Sequence, residues 1–438
     1  MLLQLSSHFE LHGSSEYSLT ATPRARRSLV RLLSKLGPGL VTGAADDDPS
    51  GVGTYSIAGA QFGYACLWSA WFTFPLMAAI QLICAQIGIV SGRGLAALLR
   101  ERYGVWALWP ACGLLAIANI VNMGADLGAM AASTAMITGI PSYYFTPIYT
   151  LLIVAAMAWT SYRYIAKVFK WMTLVLFAYI FTAFLAHPDW NRVLHATFIP
   201  HIQWSGAYMA TLVAVLGTTI SPYLFFWQTM QEVEEQRDRG KAARRRNFTR
   251  QEQSDSRFDV ITGMLLSNVI MYFIILTTGA TLHAHGQTHI VTTQQAGEAL
   301  RPLAGKAAYL LFTLGIVGTG MLSVPVLAGS TAYAIAEAGR WRSSLRDPPR
   351  CAPQFYAVLG IGLLIALGLN YIGLGVVAML FWSAVINGIL APPLIVLVVL
   401  LCADPVVMGR HVSSRLLRTL GWVTAGAMTL AAVGMFLT

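Results

Sequence analysis

The sequence predicts an all-α membrane protein: eleven transmembrane helices arranged as two consecutive inverted sets of five plus one more, with helices one and six broken. Three observations predict it. Of 438 residues, 56% are hydrophobic and 11% charged, with mean hydropathy +0.60, and the apolar residues fall in blocks near the roughly 20 residues that cross a bilayer core as a helix. The basic residues alternate between the connections in a way that fixes orientation. Two of the apolar blocks are interrupted near their middles by proline and polar residues.

Taken in order, the spans are expected at about 37–64, 66–90, 105–137, 145–164, 168–187, 207–235, 258–281, 303–337, 353–372, 375–402 and 416–436. Residues 1–36 form a basic tail (RARRSLVRLLSK) without the apolar core and cleavage site of a signal peptide, so this end is expected in the cytoplasm. With the tail inside, 26 of the 29 Lys and Arg fall on the inside connections, and only Arg192, Arg301 and Lys306 fall outside. One miscounted span would invert this asymmetry. The net charge of +10 is therefore a topology signal beside anionic lipid, not a nucleic-acid signal. The run from Arg239 to Arg250 reads as a cytoplasmic loop. Cysteines 66, 84, 112, 351 and 402 have neither metal-ligand nor disulfide spacing and read as small fillers. The organisation is thus a tail (1–36), a core (37–402, with repeats about 37–187 and 207–402) and an eleventh helix (416–438).

The interruptions carry the chemistry. In GAADDDPSG (Gly43–Gly51) three acids and a proline break span one, and GTTISPY (Gly217–Tyr223) does the same in span six. Proline lacks the amide donor, and backbone freed at membrane depth must be satisfied by protein, water or ligand. Broken helices at corresponding positions of two inverted halves point to a secondary transporter's site at the bilayer midplane. An intramembrane carboxylate costs at least about 2.5 kcal/mol. No Lys or Arg lies mid-span to neutralise Asp48, so a bound cation is the expected counter-charge. Carboxylate, carbonyl, hydroxyl and water suit hard divalent ions. The competing reading is helix capping, natural for Asp46 or Asp47 but not for three acids together.

GPGLVTGAADDDPSGVGTYSIAGAQFGY, followed by QIGIVSGRGLAALLRERYG, resembles the first two helices of the NRAMP family of divalent-metal transporters, whose first helix breaks at Asp-Pro-Gly-Asn. GTTISPYLFFWQ resembles that family's sixth helix, which breaks at Met-Pro-His. The resemblance covers nearly residues 37–438 and implies a LeuT-type fold with alternating access for a divalent cation. It implies the metal ligands Asp48, the Ala45 carbonyl, the Thr218 carbonyl and Ser221. The expected setting is a bacterial inner (plasma) membrane, with the ion and the bilayer as partners, no nucleic acid and no cofactor beyond the transported ion.

The departures from the family pattern shape the expectation. Gly51 stands for the asparagine, Ser221 for the methionine, and Tyr223 and Gln228 for the two histidines. NMGADLGAMAAS keeps an acid at Asp126 but has Ala129 where the family's proton-linked glutamate is expected. Loss of the thioether weakens discrimination against Mg2+, and Gly51 with Ser221 is expected to leave room for a partly hydrated ion. The chain thereby looks most like the NRAMP-related magnesium branch. Mg2+ is expected, with Mn2+ as companion and without tight proton coupling; the alternative is a proton-coupled Mn2+ or Fe2+ importer. Asp46 and Asp47 are expected to draw cations in, partly from an aqueous vestibule.

Asn387 and Asn268 fit either a ligand-water role or a helix-to-helix hydrogen bond, and Asn119 and Asn122 fit packing better. His283, His285 and His289 lie in an outside loop, without a carboxylate cluster to make them a metal site. An intramembrane aspartyl protease built on Asp48 and Asp126 would need no second broken helix. An amino-acid transporter would not set three acids against a substrate carboxylate.

Overall fold

The computed structural model describes residues 37–159, 174–238 and 250–438, and every regular element among them is a helix. The tail 1–36, the basic run 239–249 and the junction 160–173 of spans four and five, with Arg163 to Lys170, lie outside the described residues. We number the main helices α1 (Pro38–Asp46), α2 (Pro49–Phe62), α3 (Leu67–Ser91), α4 (Leu95–Tyr103), α5 (Val105–Thr138), α6 (Phe145–Trp159), α7 (Ala178–Leu185), α8 (Trp190–Phe198), α9 (Gly206–Thr219), α10 (Pro222–Asp238), α11 (Arg250–Thr281), α12 (Ala308–Gly339), α13 (Pro353–Leu369), α14 (Val376–Ala403) and α15 (Arg415–Leu437).

Each of the eleven expected spans contains a described helix, with spans one and six each divided in two. Among the described residues, eight helical runs suffice by length and composition to cross a membrane, and Leu174–Leu185 and Pro353–Leu369 are shorter apolar helices. One of the eight, Pro49–Ser91, holds parts of two expected spans, because Gly63 (φ +58°) ends α2 before a short 3-10 turn leads into α3. Span eight begins at Ala308 instead of 303, since Gly305 (φ +53°) closes a separate turn of helix at Arg301–Ala304. Span seven, expected from 258, is already helical at Arg250, the first described residue after the basic run.

Of the long apolar helical runs among the described residues, Gly206–Arg237, which holds the second break, is the most enclosed. The helix α11 packs along α1, α2 and α3, while α5 packs on α12, α13 and α14, and α9 packs on α14 and α2. Contact between α1 and α11 is backbone on backbone: a Cβ on Gly43 would lie 2.3 Å from the Gly263 carbonyl oxygen. Close approach of this kind is how membrane helices gain dispersion energy when lipid is as apolar as their side chains. The amino end of α1 is held from the same neighbour. Its cap residue Gly37 has no side chain to offer, and Asp259 of α11 accepts from the amides of Gly37 (2.8 Å), Gly39 (2.6 Å) and Leu40 (3.1 Å), satisfying donors that a helix start leaves free.

The outer helices turn large apolar side chains outward, among them Ile148 and Leu151 of α6, Leu364 of α13, and Leu430 and Phe436 of α15. Such surface fits hydrocarbon rather than water. Four of the cysteines are buried and Cys351 is exposed; all five are free thiols.

Candidate functional site

The first break follows from local chemistry. Proline at the first helical position is pre-set for a helix start and lacks an amide that would be unpaired there. It also drives the preceding residue into extended backbone. Asp48 accordingly sits at φ −69°, ψ 167° as the N-cap of α2, its Oδ1 accepting from the Gly51 amide at 2.6 Å. The capping expected of Asp46 or Asp47 therefore falls to Asp48, because only Asp48 adjoins Pro49. Its other oxygen accepts from Asn122 Nδ2 of α5 at 2.7 Å. Asn122, expected to be packing, is thus part of the site, whereas Asn119 does bridge helices, donating to the Leu327 carbonyl and Thr331.

Asp126, also on α5, takes the neighbouring amide. Its Oδ1 accepts from Ser50 N (3.1 Å) and its Oδ2 from Ser323 Oγ of α12 (3.3 Å). Two carboxylates therefore meet consecutive amides in the first turn of α2, at the positive end of that helix, where anions are favoured. Both are buried, Asp48 at 2% and Asp126 at 0% exposure.

Asp46 and Asp47 are placed differently. They lie at the carboxyl end of α1, the end that disfavours anions, and both meet the same hydroxyl, Ser267 Oγ of α11, at 2.8 and 3.0 Å. One hydroxyl proton cannot serve both acids at once, and Asp46 Oδ1 has no partner. The expected aqueous vestibule is not where they sit: Asp46 is fully buried and Asp47 is 2% exposed.

At the second break Ser221 precedes Pro222, and its Oγ lies 2.7 Å from the Thr218 carbonyl and 3.0 Å from that of Gly217, closing the end of α9. The two breaks touch. Tyr223 donates its phenolic hydrogen to the Ala45 carbonyl at 2.9 Å, and a Cβ on Gly51 would lie 3.1 Å from Thr218 Oγ1 and 3.2 Å from Asp48 Oδ1. Gly51 thus lets the breaks approach each other and does not enlarge the site, contrary to expectation. Ser50 Oγ joins α14 through the Leu380 carbonyl (3.1 Å) and Ser383 Oγ (3.0 Å).

Of the residues named from sequence, the structure brings together Asp48, Ala45, Thr218, Ser221, Gly51, Tyr223 and Asp126. Gln228 lies apart, accepting from Thr42 (2.5 Å) and donating to Glu232 (3.1 Å). Asn268 joins α11 to α3 through the Ala70 carbonyl (2.6 Å) and Thr73, its helix-to-helix reading. Asn387 is buried one turn beyond Ser383 with Oδ1 unpaired. Ala129 lines a small apolar cavity with Pro49, Gly53 and Leu380. His283 and His285 direct Nδ1 to the carbonyls of Ala60 (2.8 Å) and Thr281 (2.5 Å), and no group of three or more His, Cys, Asp or Glu able to hold a metal occurs among the described residues. Sequence reasoning missed Ser267 and Ser323. Membrane helices are rich in hydroxyls that simply bond their own preceding turn, so neither stands out.

An all-helical membrane bundle whose two broken helices meet beside buried carboxylates is the class of a secondary transporter for a cation. The chain belongs to the Nramp family: the family described as natural resistance-associated macrophage protein-like matches residues 39–438. A divalent metal cation transporter, MntH, from Deinococcus radiodurans is 28% identical over 428 residues, covering 95% of this chain and 92% of that protein. In fold, the chain is similar to the crystal structure of a manganese transporter from Eremococcus coleocola, with TM-score 0.74 at 17% identity over 95% of this chain and 88% of that one. It is also similar to Mhp1, a nucleobase-cation-symport-1 family transporter, with TM-score 0.53 at 14% identity over 92% of each chain. The protein is a divalent metal cation transporter of Nramp type and not an enzyme; the cation is its substrate.

Proposed function

We propose that the protein carries Mn2+ across a bacterial plasma membrane by alternating access, coupled to protons, with its N-terminus in the cytoplasm. The substrate is taken from the relatives, which are a divalent metal cation transporter and a manganese transporter. The observation that carries the site is the junction of the two breaks, where the Asp48 carboxylate, the Ala45 and Thr218 carbonyls and Ser221 Oγ lie on the facing ends of α1, α2, α9 and α10. All are hard oxygen donors of the kind that binds Mn2+.

Proton coupling rests on Asp126. It shares the first turn of α2 with Asp48, and none of the ion pairs among the described residues involves either acid. Two uncompensated carboxylates in a buried site are coupled, and one proton relieves their repulsion. A divalent cation arriving at Asp48 takes over that compensation, so the proton is free to leave through Asp126.

The oxygen-only donor set also favours a second reading, Mg2+ as the preferred ion. Both readings share one experiment. Purified protein in liposomes is assayed for Mn2+ and Mg2+ uptake while internal pH is recorded. Mn2+ uptake accompanied by acidification of the interior supports the first reading. Mg2+ uptake that excess Mn2+ leaves unchanged would favour the second, and absence of divalent flux would refute both.

A further inference from the structure

The two carbonyls assigned to the cation are both occupied by side-chain hydroxyls in this structure. Ser221 holds the Thr218 carbonyl, and Tyr223 holds that of Ala45. Ala45 lies in the last turn of α1, where carbonyls have no partner within the helix. Tyr223 is 1% exposed and Ala45 0%, so the phenol satisfies a carbonyl shielded from bulk water. We infer that Tyr223 sets the affinity of the cation site by competing with the cation for the Ala45 carbonyl, an inference that rests on the ligand assignment proposed above.

The competition has a structural consequence. Side-chain hydrogen bonds that join α1 to α10 include Tyr223 to Ala45 and, one turn nearer the start of α1, Thr42 to Gln228. A cation that takes the Ala45 carbonyl displaces the phenol and undoes the first of them. Ligand binding is thereby linked to the hold of α10 on the carboxyl end of α1, and each part of the linkage is a named bond. The amides on Asp48 and Asp126 belong to the helical backbone of α2 and cannot yield in this way, whereas a phenol can turn about its side-chain bonds.

Substituting Tyr223 by phenylalanine removes the hydroxyl and keeps the ring. A buried acceptor left without its donor gains more from a cation than one already satisfied. Mn2+ titrations by calorimetry on the full-length protein in lipid nanodiscs, comparing wild type, Tyr223→Phe and Asp48→Ala, test this. The expected result is a Kd about fivefold lower in Tyr223→Phe and no measurable binding in Asp48→Ala. This gain runs opposite to the loss that simple structural damage produces. An unchanged or higher Kd in Tyr223→Phe, with binding abolished in Asp48→Ala, would overturn the role of Tyr223 alone. Wild-type binding in Asp48→Ala would overturn the site itself. Should Tyr223→Phe fail to fold, 3-fluorotyrosine placed only at position 223 gives a second reading: its 19F resonance is expected to move on saturation with diamagnetic Cd2+. A resonance that stays in place while Cd2+ binds would contradict displacement of the phenol.

Discussion

The two helix breaks are built from opposite chemistry. The first, between Asp46 and Pro49, brings three carboxylates into the bundle; beside the backbone amide of Gly51, the donors those acids receive are side chains of other helices, Asn122 from α5 and Ser267 from α11. The second, between Thr219 and Pro222, carries no charge and satisfies its own carbonyls with its own serine. Within the first break a further contrast separates Asp48, at the favourable end of α2, from Asp46 and Asp47, at the unfavourable end of α1. The difference teaches a division of labour. Under the ligand set proposed above, the first break would supply the charge that makes a cation bind, and the second would adjust which cation is preferred and how tightly it is held.

If that division is right, the largest loss comes from the charge. Asp48→Ala is expected to weaken Mn2+ binding at least about 100-fold, roughly 2.7 kcal/mol, with a normal gel-filtration profile; retained saturable uptake in liposomes would break the comparison. Asp126→Asn removes the acid while its amide oxygen can still accept from Ser50 N and its NH2 can donate to Ser323 Oγ. It should abolish metal-driven proton movement and lower uptake about tenfold, and wild-type acidification in this variant would move the proton path elsewhere.

The second break should respond more gently. Ser221→Met replaces a hydroxyl by a thioether, which favours softer ions, and is expected to shift the Mn2+ to Mg2+ preference about tenfold towards Mn2+, or about 1.4 kcal/mol. Competition of Mn2+ uptake by Mg2+ measures it; an unaltered ratio would mean that Ser221 does not reach the ion. Smallest in its effect on transport is Ser267→Ala. It leaves Asp46 and Asp47 without their shared donor and should destabilise the protein by about 1–3 kcal/mol, seen as a lower Tm, with the Kd for Mn2+ changed less than threefold. A Kd lost together with the Tm would join Asp46 and Asp47 to the site of Asp48.

Legibility in the sequence followed the same contrast. Helix positions and both breaks could be read because hydropathy and proline act locally: spans one, three and ten were expected at 37–64, 105–137 and 375–402, and the helices run Pro38–Phe62 with its break, Val105–Thr138 and Val376–Ala403. The placement of Asp48 beside Pro49 could be read for the same reason. What could not be read was how each acid is satisfied, since Asn122 is 74 residues from Asp48 and Ser267 is 221 from Asp46. Hydropathy does not specify which face of one helix meets which residue of another. The expectation of a roomier site failed in the same way, because glycine in a sequence suggests space, whereas at Gly51 the space is taken by Thr218 and Asp48.

The most direct test of the central claim is to locate the ion. Crystals of the full-length protein grown with Mn2+ and measured at the manganese absorption edge should show one anomalous peak at the junction of the breaks. The peak is expected about 2.0–2.6 Å from a carboxylate oxygen of Asp48, within ligand distance of the Ala45 and Thr218 carbonyls and with the Tyr223 hydroxyl turned away from Ala45. A peak between Asp46, Asp47 and Ser267 with none at Asp48, or one confined to the His283–His289 loop, would contradict the account.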